Sequence, residues 1–333
     1  MRSPGYVWHP GAPERLHPER FRPTGRLTVD GRGASPPGHA PAPFPLSSVN
    51  ELAAMPPISA FGERTLATAA VAILETADAR DKAESSRALA AAWRAGRLTE
   101  IGTARPPDRP ARPSRPPLVR PGEVPRRRLG RSRENRIALF HALAHIELNA
   151  IDLAWDMVAR FAGNADLARG FHDDWVAVAA EEARHFILLS DHLHRLGARY
   201  GDLSAHDGLW QAAAATAHDP LARLAVVPLV LEARGLDVLP DMIARVAAAG
   251  DRDGAAALEI IYRDEIGHVG TGRRWFDHLC SCRGLPPETT WRALVRTHFK
   301  GEVKPPFNAA ARRAAGFHPA YYAGLSKSTA DPT

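Results

Sequence analysis

The chain has 333 residues, 45% of them hydrophobic, enough for one large or two modest domains with a substantial core. Its net charge of +6 and pI near 9.7 keep nucleic acid among the conceivable partners, although dispersed arginines produce the same balance without one. Cys280 and Cys282 are the only cysteines and lie too close for a disulfide framework, no apolar run is long enough to cross a bilayer, and no charged start followed by an apolar stretch marks the N-terminus for secretion, so the expected setting is the reducing cytoplasm.

Residues 1–57 hold closely spaced prolines (Pro36, Pro37, Pro41, Pro43, Pro45, Pro56 and Pro57) and no sustained period, which reads as a flexible or extended leader. In the segment 58–103 two amphipathic helices are predicted between Glu63 and Ala95, the second carrying Ala83, Leu89, Ala90 and Trp93 ahead of Gly96 as its stop. They are expected to pack beside the helices of the segment 134–283. Residues 104–133 form a basic, proline-rich linker with Arg126, Arg127, Arg128, Arg131 and Arg133. A solvated tether is the plain reading of such a stretch and a nucleic-acid clamp the sharper one.

Four long helices are predicted in the segment 134–283, near 134–162, 165–197, 219–249 and 251–282. Asn164 and the Asp219-Pro220 pair read as starts, and Gly163, Gly197 and Gly250 as stops. The connection 198–218 is longer than the other two, which predicts two helical hairpins joined by one long crossover, an all-α ferritin-like four-helix bundle. In the segment 284–333 a helix from Pro286 to His298 precedes a basic tail with Phe307, Phe317, Tyr321 and Tyr322, expected to pack on the bundle.

The four helices share a pattern: Glu147, then Glu182 with His185, and again Glu232, then Glu265 with His268. The lone glutamate precedes its Glu-x-x-His pair by 35 residues in the first half and 33 in the second. Residues i and i+3 share a helix face, and each acid interrupts an apolar stripe, such as Phe140, Leu143, Ile151 and Val158 around Glu147. An isolated buried carboxylate is costly and four together would repel one another. Two cations remove both objections, and this set of hard oxygens and imidazoles suits two irons, or iron with manganese. Glu181 and Asp264 each precede a paired glutamate, making Asp264 a candidate partner for His185 across the bundle and Glu181 for His268; solvated surface is the competing reading, favoured for Glu181. Tyr262 is a candidate hydrogen-bonding or redox-active phenol, with plain core as its alternative. Asp152 and Asp237 each follow a lone glutamate by five residues, a further echo of the repeat. His141 and His145 face away from Glu147 and read as surface or packing residues.

The stretches RENRIALFHALAHIELNAIDLAWD (133–156), EEARHF (181–186), LEARGLD (231–237), RDEIGHV (263–269) and PPFNAAARRAAGF (305–317) resemble a bacterial ferritin-like family catalogued as a domain of unknown function, whose relatives include a di-iron tRNA hydroxylase. The resemblance spans roughly residues 60–320 and covers all six proposed ligands. It implies a dinuclear metal centre, with Glu182 and Glu265 as bridging carboxylates and the reactive part of the site. The expected activity is oxidation or hydroxylation of a small molecule with dioxygen, supplied by an electron donor. A tRNA-modifying hydroxylase is the alternative, and a non-catalytic or ferroxidase-type metal protein a further one.

Overall fold

The computed structural model describes residues 65–124 and 132–323; the leader 1–57, Arg126, Arg127, Arg128 and Arg131 lie outside them. Among the described residues the fold is all-α, with one isolated bridge between Leu118 and Ala205 and no strand. Two short helices, α1 (Leu66–Leu74) and α2 (Ala79–Arg94), precede α3 (Arg133–Arg160) and α4 (Arg169–Arg195). The crossover holds α5 (Gly208–Ala215); α6 (Pro220–Val226), α7 (Ala233–Ala248) and α8 (Arg252–Cys282) follow. Three further helices, α9 (Pro287–His298), α10 (Ala309–Ala314) and α11 (Pro319–Tyr322), complete the described chain.

Local chemistry sets most of these limits. Ser132 caps α3 by accepting from Asn135 N, and Asp219 caps α6 by accepting from Leu221 N with Pro220 in the first helical position. Gly197 and Gly250 end α4 and α7 at φ 72° and 86°, a conformation that costs glycine little. Asn164 does not start α4: its side chain accepts from Asp166 N and turns the loop, and the helix begins at Arg169 behind an uncapped Ala168. Nor is 219–249 one regular helix. Pro228 has no N–H to give and its ring excludes the normal carbonyl partner, so Val227–Glu232 widens into a π-helical turn between α6 and α7.

The helix α3 packs on α4 and α7 on α8, while α4 against α8 joins the two pairs; α1 lies on α3 and α2 on α4. Contrary to the expectation from composition, α3 is apolar enough to cross a bilayer, with a mean hydropathy of 1.3 over 18 residues, but 83% of that stretch is buried inside the fold. It is the central core helix. Trp155 of α3 donates to Ser86 of α2 (2.7 Å), which donates in turn to the Ala179 carbonyl of α4 (3.1 Å).

Charge fastens the outer segments. Asp152, fully buried on α3, receives Lys82 from α2 and Arg112 (2.8 Å) from the proline-rich segment. Asp237, fully enclosed on α7, receives Arg312 from α10 at 2.8 and 2.7 Å. The two aspartates that echo each other in sequence thus anchor accessory segments, Asp152 both α2 and the proline-rich segment and Asp237 α10. His141 and His145 pin the crossover: His141 Nε2 accepts from Gly201 N (3.0 Å), and His145 lies between the Tyr200 hydroxyl (2.9 Å) and the His206 carbonyl (3.0 Å). Burial lowers His145 to about 3, so it is neutral.

Candidate metal centre

Glu147 comes from the middle of α3, Glu182 and His185 from α4, Glu232 from the end of the π turn, and Glu265 and His268 from α8. All but Glu232 are buried as whole residues. One ligand atom from each of Glu147, Glu182, His185 and Glu265 lies within 4.8 Å of the others, a grouping able to hold a metal ion. His185 Nδ1 is 3.3 Å from Glu147 Oε2 and 3.4 Å from Glu182 Oε2. His268 Nδ1 is 3.0 Å from Glu182 Oε1 and 3.8 Å from Glu265 Oε1. Glu182 therefore shows one oxygen to each imidazole.

The outer ring nitrogens fix which atoms face inward. His185 Nε2 donates to Asp264 Oδ2 (2.7 Å) and His268 Nε2 to Glu181 Oε2 (2.8 Å), each across from α4 to α8 or back. A carboxylate can only accept, so both Nε2 atoms carry hydrogen and each Nδ1 can turn a lone pair to the cluster. Arg184 pairs with the same Asp264 Oδ2 that accepts from His185, whereas Glu181 is more exposed, at 36% against 17%. Tyr262 turns its hydroxyl to Asn308 Nδ2 (3.0 Å) at the start of α10, not to either imidazole.

The electrostatics of the cluster are strained. Burial raises the carboxyl groups of Glu147, Glu232 and Glu265 above their ordinary range; Glu182 adds to the rise at all three, and Glu265 to that at Glu232. Burial pushes Glu182 upward too, but His268 and His185 outweigh it and hold this carboxyl low. Both imidazoles rise: burial opposes their charge, yet Asp264, Glu147 and Glu182 prevail at His185, and Glu182, Glu181 and Glu265 at His268. Glu147 Oε2, Glu182 Oε1, Glu232 Oε2, Glu265 Oε2 and His268 Nδ1 are buried without a hydrogen-bond partner. Although His268 Nδ1 and Glu182 Oε1 are close, they are not aligned to bond. Four carboxylate oxygens and an imidazole nitrogen left without partners form a donor set that a divalent cation would satisfy.

All four glutamates also line a cavity of about 240 Å³, walled by apolar side chains including Leu143, Ile146, Leu153, Val230, Leu239 and Phe307. The carboxylate cluster is thus open to an apolar space and not sealed in the core.

The model of a family described as "Protein of unknown function (DUF455)" matches residues 75–323. The chain belongs to this family. A protein of Haemophilus influenzae, named "Uncharacterized protein", is 45% identical over 213 residues, 62% of this chain and 72% of that one. No solved structure matches. The DUF455 span includes the six candidate ligands, Asp264 and Glu181 behind the imidazoles, and both buried anchors, Lys82 with Asp152 and Arg312 with Asp237.

Three features of the site escape a reading of motifs. Arg184 sits inside EEARHF, but its pairing with Asp264 crosses 80 positions. Pro228, four residues before Glu232, does signal a helix irregularity. Arg312 has no periodic signal, because a six-residue helix is too short to show one.

Proposed function

We propose that this chain is a ferritin-like dinuclear-metal oxidoreductase that uses dioxygen to oxidise or hydroxylate a small molecule bound beside its metals. The observation behind this proposal is the coincidence of an orphaned carboxylate and imidazole cluster with an apolar cavity bounded by the same glutamates. Glu147, Glu182, His185, Glu232, Glu265 and His268 would hold two irons, or iron and manganese, with Glu182, flanked by both imidazoles, and Glu265 as bridges. When bound, such metals supply redox equivalents and open positions for dioxygen.

The chain's own part is to bind, orient and exclude water. Asp264 and Glu181 hold the imidazole Nε2 protons, keeping each Nδ1 turned inward. The apolar walls keep bulk water from the reacting carbon and favour substrates with an apolar body. An electron-donor protein is part of the proposal. A cavity of this kind suits a small molecule better than an RNA strand, which needs an open basic surface.

Elemental analysis of the full chain, with optical spectra under anaerobic reduction and after admission of air, tests the proposal. The expected result is two iron or manganese ions per chain and an absorbance change on aeration. A zinc-filled protein indifferent to oxygen overturns the oxidoreductase reading in favour of a binding role, and salt-sensitive retention of tRNA by the full chain favours the RNA substrate.

A further inference from the structure

One cationic side chain in the cavity wall is built like a binding group. Arg312 is 2% exposed and lines the same cavity as the four glutamates. Its Nε and Nη2 hold the two oxygens of Asp237 at 2.8 and 2.7 Å, and Nη2 also lies 3.4 Å from the Ala233 carbonyl. The rings of Tyr322, Phe307 and Phe317 lie 4.5, 4.9 and 5.4 Å from the guanidinium carbon. These contacts lock its plane, and one donor remains: Nη1 is buried with no hydrogen-bond partner. A buried guanidinium donor left bare is unfavourable, and an acceptor inside the cavity would complete it.

Charge selects the kind of acceptor. Asp237 is shared between Arg312 and Arg234 (3.4 Å), which brings a second guanidinium beside the Arg312 pair. Lys304 and the exposed Glu302 also line the cavity. The opposite end holds the four glutamates, which an anion would avoid. The histidines of the crossover wall are engaged, His141 by Gly201 N and His145 by Tyr200 and His206. Asp237 lies five residues beyond Glu232, or about 7.5 Å of helical rise.

We infer that the cavity takes a small molecule with an apolar body and one carboxylate, the carboxylate held by Arg312 Nη1 and the body extending toward the glutamate cluster. The inference rests on the proposed dinuclear centre only for which end of the ligand reacts.

Calorimetry on the full chain, both manganese-loaded and chelator-stripped, with hexanoate, hexan-1-ol and hexylamine as probes, tests it. Hexanoate is expected to bind at least tenfold more tightly than hexan-1-ol in both forms, with hexylamine not binding at millimolar concentration. The double substitution Asp237→Asn with Arg312→Met removes the buried pair together and is expected to erase that preference, so that hexanoate and hexan-1-ol bind alike. A preference that vanishes on chelation means the metals read the carboxylate and overturns the assignment to Arg312. So does equal binding of hexanoate and hexan-1-ol, absence of binding by both, or a preference that survives the double substitution. Should that variant not fold, the stripped native chain decides. Elemental analysis of the same preparations separates the two proposals: an absence of metal with the preference intact sinks the dinuclear centre alone, and full metal loading without the preference sinks this assignment alone.

Discussion

Glu182 is the one carboxyl of the cluster held low while its three companions are raised, because it alone has an imidazole against each oxygen. Taking it away removes the group shared by both halves. Glu182→Ala is therefore expected to lower bound iron or manganese below two per chain, and elemental analysis still giving two would refute its bridging role. Asp264 acts one step further out. Asp264→Asn keeps the shape but weakens the hold on the His185 Nε2 proton, and a loss of roughly 10- to 100-fold in metal affinity is expected from disturbing such a partner. A competition titration against a chelator measures it; an unchanged affinity would make Asp264 a surface acid paired with Arg184 and nothing more.

Among the elements, the π turn is the most sensitive to packing. Its Pro228 faces Gly272 of α8, where an added Cβ would come within 2.4 Å of the proline Cβ and 2.5 Å of Cγ. Neither the ring nor the helix backbone can swing aside. Gly272→Ala should cost about 1–3 kcal/mol, as overpacking of a dense core does, and should displace Glu232 four residues downstream of Pro228. Thermal unfolding and metal content are the two readouts, and a variant matching the parent in both would show that α6 and α7 accommodate the methyl by a rigid shift. The long helices were legible because three signals coincide there: apolar stripes, the Asp219-Pro220 start, and stop glycines such as Gly197 and Gly250. The glutamates and histidines were legible for the same reason, since a charged residue on an apolar stripe is conspicuous. Pro228 left a local mark whose consequence was not. Whether a helix with an internal proline kinks, breaks or widens is decided by the neighbour it meets, and Gly272 is 44 residues away. Arg312 and Lys82 likewise gain their meaning from partners on other helices, which no period records.

For the whole molecule, the proposed metal loading would be linked to protonation. Without metal, Glu147, Glu232 and Glu265 retain protons to a higher pH than exposed carboxyls, and His185 and His268 retain theirs above the ordinary imidazole range. Ligation requires carboxylates and neutral rings, so loading must expel protons. Affinity for manganese is then expected to climb as pH rises through the raised range and to fall on acidification, with protons appearing in a weakly buffered titration. A titration releasing none would contradict the inward orientation of these groups. Loading should also raise the unfolding free energy, by about 2.7 kcal/mol at a free metal concentration of one hundred dissociation constants.

The exchange of outer carboxylates between α4 and α8 has a consequence for any attempt to divide the chain. His185 takes its proton acceptor from the second hairpin and His268 from the first. A fragment ending in the crossover would keep two glutamates and a histidine yet lose the acid that sets that ring's tautomer, and its complement would suffer the mirror loss. Ordered ligand geometry is thus a joint property of the two hairpins, so mixing separately produced fragments should restore tight metal uptake only when they reassemble.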